Sequence, residues 1–167
     1  DNGCGTKNTV VDKGSKKTNP SQSPKIKIGQ KLQNSVGVRC AITGKNTAEC
    51  IGYVGKKNSV TIPPSLKYMG VTYQITSIKT KAFSGNKNLR SIVIPSSIRT
   101  IGSQAFFKCK NLKKITIKTP YLSKKTVGAK AFKGIHAKAK IKVPKKQKKA
   151  YQKLLKAKGA GKKVTIK

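Results

Sequence analysis

Between residues 27 and 62 the apolar positions come in short alternating runs, Val36, Val38, Cys40 and Ile42, then Cys50, then Val60 and Ile62, separated by Gly-bearing turns. An apolar side chain at every second position turns one face of an extended chain inward. The pattern therefore predicts a β-hairpin turning at Thr43-Gly44-Lys45-Asn46, with a further strand after it. At this length the hairpin reads as a cap, over 27–57, for the remainder of the chain.

That remainder is repetitive. Laying ITSIKTKAFSGNKNLRSIVIP on IRTIGSQAFFKCKNLKKITIK matches Ile78 with Ile101, Ala82-Phe83 with Ala105-Phe106, Leu89 with Leu112, Ile92 with Ile115 and Ile94 with Ile117, each 23 residues on. Ala131-Phe132 then lies 26 residues after Ala105-Phe106, and Val143 lies 26 after Ile117. At the end the spacing of 23 pairs Ile141 with Val164 and Val143 with Ile166. Upstream, Val60-Thr61-Ile62-Pro63 reads as an earlier copy of Ile92-Val93-Ile94-Pro95 whose loop carries extra residues through Tyr73. A fixed period in the twenties marks a solenoid, in which each unit buries its apolar face only against its neighbours. The alternate Ile pair gives a short strand, Ala-Phe and the next Leu a tight helical turn, Gly85 and Gly102 sharp corners, and Pro63, Pro95 and Pro144 strand ends.

The string from Ile98-Arg99-Thr100-Ile101-Gly102 through Ala105-Phe106, Cys109, Leu112, Ile115 and Ile117 resembles the BspA-type leucine-rich repeat of bacterial surface proteins, over residues 58–167. The first repeat departs from the pattern with Asn86 in place of Cys, and the third replaces Cys and Leu with GIHAKAK. The resemblance implies an α/β-type leucine-rich-repeat solenoid of short parallel strands and short helical turns. It also implies secretion or surface attachment, a role in adhesion to or recognition of host or matrix proteins, and a buried, unreactive Cys109. His136 reads as a turn or surface residue.

Two segments flank this core. Residues 1–26 are rich in Gly, Ser, Thr, Asn, Pro and Lys, too poor in apolar surface to offset the entropy of ordering, and read as a flexible tether. Near the other end Pro144 and Gly159 bracket KKQKKAYQKLLKAK, a start and a stop for a capping helix over about 145–158 with Tyr151, Leu154 and Leu155 on one stripe. An export signal is expected upstream of Asp1, and the repeat strand Val164-Thr165-Ile166 reads as a natural terminus.

Composition removes whole classes of chemistry. The 167 residues carry 39 Lys and Arg against 3 acids, a formal charge of +36, and the acids are Asp1, Asp12 and Glu49. General acid/base pairs and carboxylate metal sites need carboxylates, and a nucleophile relay needs an acid to orient its imidazole. The chain therefore reads as a non-enzyme without cofactor. A monomer is expected. Cys4, Cys40, Cys50 and Cys109 form no CxxC, so no metal site is expected. Cys40 and Cys50 flank the hairpin turn and can face each other, a bridge that would persist in an oxidising compartment.

The surplus charge is almost all Lys, which favours diffuse attraction to polyanions over bidentate reading of bases. If Ile92 and Ile94 point in, the outward positions stack as a row Ser91, Lys114, Lys140, Lys163 and a second row Val93, Thr116, Lys142, Thr165, with Lys118 and Lys167 beside Pro95 and Pro144 in a third. This lysine strip is the candidate ligand face. Its expected partners are anionic glycans or teichoic acid. The alternatives are a nucleic-acid-binding basic protein and a structural spacer without a specific ligand.

Overall fold

A computed structural model describes residues 26–167; the tether expected over 1–26 otherwise lies outside the described residues. In chain order the strands are β1 (Lys31–Gln33), β2 (Val38–Ile42), β3 (Thr47–Tyr53), β4 (Ser59–Thr61), β5 (Ser65–Tyr68), β6 (Val71–Ile78), β7 (Ser91–Ile94), β8 (Thr100–Ile101), β9 (Lys114–Ile117) and β10 (Lys140–Lys142). A 3-10 turn (Lys145–Gln147), helix α1 (Lys148–Ala157) and strand β11 (Thr165–Ile166) complete the chain.

The repeats coil as a solenoid. Strands β4, β7, β9, β10 and β11 form one parallel sheet in that spatial order, with Val60, Ile92, Ile115, Ile141 and Ile166 stacked inward. Each coil then turns a corner and touches a second sheet, where Ile78 of β6 pairs with Ile101 of β8, which bridges to Val127. The sequence pattern signals one strand per coil; the second rung is only one or two residues long, below what alternation can register.

The third side of the coil is not helical. Ala82, Ser84 and Asn86 donate to carbonyls three residues back, while Lys81, Phe83 and Gly85 donate to Ser103, Ala105 and Phe107 of the next coil. Gln104, Phe106 and Lys108 likewise donate to Ala129, Ala131 and Lys133. Alternating local and inter-coil bonds need a left-handed residue at each reversal, and Lys81, Gln104 and Lys130, each just before Ala-Phe, have φ of 60°, 56° and 56°. The expected helical turn is thus a stack of reverse turns that spends its amides on the neighbouring coil. Gly85 (φ 72°) makes a corner as expected, whereas Gly102 takes no left-handed conformation and instead lets Thr80 of the previous coil approach.

Phe83, Phe106 and Phe132 stack inside these turns, with centroids 5.3 and 5.4 Å apart. Beside them the buried Cys109 thiol donates to the Phe83 carbonyl at 2.9 Å. Burial pushes its ionisation up to about 11, against the pull of an Asn86 backbone N–H. A group whose folded pKa is raised stabilises the fold fully below its unfolded value, about 8.5, and that stability is lost as pH rises through the folded value. Cys109→Ala should therefore flatten the fall of the denaturation midpoint between pH 9 and 11, a fall worth about 2–3 kcal/mol. An unchanged slope would remove Cys109 as its source.

At the start of the chain, β1, β2 and β3 form an antiparallel meander, and β3 then pairs in parallel with β6. The hairpin and the first coil share a sheet and one apolar core. The insertion through Tyr73 forms a hairpin of its own, β5 against β6, turning at Met69-Gly70 with φ of 48° and 79°. At the other end α1 buries Tyr151, Leu154 and Leu155. The Tyr151 hydroxyl donates to the Thr119 carbonyl (2.7 Å) and accepts from the Leu122 N–H (3.0 Å), fixing the helix to the third coil.

Candidate functional site

The outward positions of the parallel sheet carry the chemistry. Registered across the rungs, one row reads Ser59, Ser91, Lys114, Lys140, Thr165. The neighbouring row reads Thr61, Val93, Thr116 and Lys142. Lys167 completes it, because its N–H donates to Ile141 and its carbonyl accepts from Val143, the pattern of a residue level with Lys142. The sheet face is therefore neutral over β4 and β7 and basic over β9, β10 and the end of the chain.

Lys114, Lys140, Lys142 and Lys167, with Lys113 and Lys145, line a groove of about 410 Å³ over Ile115, Ile141 and Val143. Sequence reasoning missed Lys113 and Lys145. Lys145 reaches the groove because the 3-10 turn after Pro144 sits beside the sheet, a tertiary placement that leaves no periodic trace. Adjacent rungs lie about 4.8 Å apart and alternate residues of one strand about 6.6 Å apart, so Lys114, Lys140 and Lys142, with Lys167 just past β11, form a compact cationic array. Lys114 directly opposite Lys140 is a like-charge pair that destabilises the ladder unless an anion intervenes. The sole side-chain carboxylate among the described residues, Glu49, is on β3 in the other sheet.

Two of the expected lysines move, and Thr165 with them. Lys163 is not in the row: Thr165 stands opposite Lys140, and Lys163 lies in the exposed turn before β11. Between β10 and β11 the 3-10 turn and α1 replace the reverse-turn stack, so Ile141 pairs with Ile166 rather than Val164. A slip of two residues keeps Val164 and Ile166 on the inner face, so the alternation of apolar and polar positions is blind to it. Lys167 moves from the Lys118 row to the Lys142 row. Lys118 continues β9 beside Ile94, whose carbonyl it engages, and stands clear of the groove.

Cys40 and Cys50 are cross-strand partners in β2 and β3, as the hairpin register predicts, and both are free, buried thiols. His136 is half-buried in the turn before β10, its Nδ1 accepting from the Lys138 N–H at 3.1 Å. Among the described residues no helix is long and apolar enough to cross a membrane.

Compared with known families, residues 58–167 match the model of the BspA-type leucine rich repeat region, in six copies. Similar solved structures include a leucine rich cell surface protein from Faecalibacterium prausnitzii (23% identity, TM-score 0.54), covering 75% of this chain and 38% of that one. A leucine-rich repeat protein from Bacteroides capillosus is similar at 19% identity and a TM-score of 0.54, covering 82% of this chain and 98% of that one. Another, from Bacteroides ovatus, shares 28% identity at a TM-score of 0.49, over 65% of this chain and 34% of that one. The chain thus spans little more than a third of the Bacteroides ovatus and Faecalibacterium proteins. A comparison with curated proteins finds no match.

Proposed function

Because the chain belongs to the BspA-type leucine-rich repeat family, we propose that it is a non-catalytic recognition module of a cell surface or secreted protein, holding anionic polymers of a host or cell wall on the basic half of its parallel sheet. The observation that carries this reading is the groove whose lining includes six lysines and no acidic side chain. Unneutralised cations at strand spacing raise the local concentration of a polyanion and gain when its charges settle between them. Lys rather than Arg suits a polymer held by many weak point charges, such as a sulfated or uronic-acid glycan or a teichoic acid, better than a single planar group held bidentately.

The test is titration against heparin, a teichoic acid and double-stranded DNA at two salt concentrations. The protein is compared with a variant in which Lys114, Lys140, Lys142 and Lys167 become Gln, and with a control changing the exposed Lys56, Lys67, Lys87 and Lys124. One polymer should remain bound by the protein at physiological salt and lose roughly 10-fold or more in affinity with the groove variant, against a small loss with the control. Equal losses for both variants, with all three polymers falling in parallel with salt, would reduce the groove to generic charge. Selective loss of DNA would transfer the site to nucleic acid.

A further inference from the structure

We propose that Cys40 and Cys50 close a disulfide across the β2–β3 hairpin as the chain folds in an oxidising compartment, while Cys109 remains a thiol. The two cysteines are Cα partners, and the hydrogen-bond pattern settles which kind of pair they form. Thr43 donates to the Thr47 carbonyl across the turn, making Thr43/Thr47 a hydrogen-bonded pair. Along β2 and β3 the pairs Ile42/Ala48, Ala41/Glu49 and Cys40/Cys50 then alternate, and the cysteines fall on a non-hydrogen-bonded site. The flanking strand agrees: the Cys50 carbonyl accepts from Lys79, at the end of β6, and so points away from β2.

At such a site Cα atoms stand about 4.5 Å apart and side chains lie closest together, inside the range that a disulfide spans. Both side chains point into the core, at 2% and 0% exposure, between Leu32 on one side and Ile78 on the other. The Cys50 thiol hydrogen-bonds Cys40 and, with burial, raises its ionisation far above the ordinary thiol range. Cys109 has no such neighbour; its hydrogen bond goes to a backbone carbonyl a coil away from the hairpin.

Suppressed ionisation makes the folded thiols poor nucleophiles, so bond formation belongs to folding, before the hairpin is covered. The oxidant is a small disulfide such as oxidised glutathione. One cysteine thiolate attacks it, forming a mixed disulfide and releasing one glutathione thiolate. The second cysteine thiolate then attacks the protein sulfur of that mixed disulfide and releases the other. The protein loses two electrons and two protons, and the oxidant becomes two thiols. The result is a covalent link between strands at the N-terminal end of the solenoid, remote in sequence from the lysine groove.

Lys45 lies between the two cysteines, so trypsin separates Cys40–Lys45 from Asn46–Lys56 unless a bridge joins them. The reduced, unfolded chain is refolded with reduced and oxidised glutathione, quenched in acid, alkylated and digested. The expected product is the two peptides linked, two hydrogens lighter, with Cys109 alkylated. Both peptides alkylated, a persistent glutathione adduct, or a bridge from either cysteine to Cys4 or Cys109 would overturn the proposal. As a second measurement, dithiothreitol should lower the thermal midpoint of the bridged protein by on the order of 5–10 °C. An unchanged midpoint would show that the bond does not staple the native hairpin. Neither measurement depends on the polymer-binding reading.

Discussion

Replacing Phe106 with Ala should cost about 4–5 kcal/mol of folding stability, at the top of the range for buried aromatic truncation. Phe106 is fully buried and is the middle ring of three, lying at 8° to Phe83 and 17° to Phe132. Its removal empties one coil of its largest buried side chain and also deprives both neighbouring rings of a stacked partner, each such pairing worth about 0.5–1.5 kcal/mol beyond area. Phe83→Ala and Phe132→Ala each break one pairing and should cost about 1 kcal/mol less. The order matters because a solenoid is stabilised by nearest-neighbour interfaces, and the middle coil belongs to two of them. Urea denaturation of the three variants measures it. A Phe106 variant no weaker than the other two would mean that the rings act as independent fillers. A loss below about 2 kcal/mol would mean that the coils collapse around the gap.

The same stack explains why part of the fold is visible in the sequence. Inward residues recur because each must meet its copy one coil away, so Ile92, Ile115 and Ile141, and the three Ala-Phe pairs, stand out by spacing alone. Where the contact is between backbones, spacing carries no signal. The reverse turns before and after Ala-Phe present Lys81, Gln104, Lys108 and Lys130 in a left-handed conformation, and no residue type marks them as Gly would. Between coils the second sheet runs to only two pairs, from β6 to β8, and then to one bridge, Ile101 to Val127. The Met69-Gly70 turn is hidden because its hairpin interrupts the repeat rather than belonging to it.

For the basic groove the difficulty is different. Lys114, Lys140 and Lys142 follow from rung-to-rung register, which the Ile pairs fix. Extending that register past a helix misplaces Lys163, because there only the parity of inward positions, not their count, is enforced. Lys167 occupies the Lys142 row for the same reason, and Lys113 and Lys145 join from strand and turn ends. The site is thus legible to the extent that it is made of strand, and illegible where a connection of different length resets the ladder.

Gly128→Ala should cost about 3 kcal/mol, close to the loss of an outer ring of the Phe stack, although it adds a single methyl group. A Cβ on Gly128 would lie 2.2 Å from the Ser103 backbone N and 2.5 Å from its Cα, and one on Gly102 would lie 2.3 Å from the Thr80 N. These neighbours are main chain. No rotamer change can clear them, so the coils must part along the second sheet, where Ile101 pairs with Val127 and where Gly128 donates to the Ile101 carbonyl at 2.8 Å. Gly85 is the natural control. Nothing lies within 4 Å of a Cβ built there, and its φ of +72° alone opposes substitution, so Gly85→Ala should cost only about 1 kcal/mol. Thermal denaturation of the two variants separates the causes. If Gly128→Ala proves the milder, inter-coil approach is not what glycine serves at Val127-Gly128. If it is the harsher, as the spacing requires, the lysine groove should still keep its affinity in the folded fraction, because β9 and β10 take their register from the other sheet.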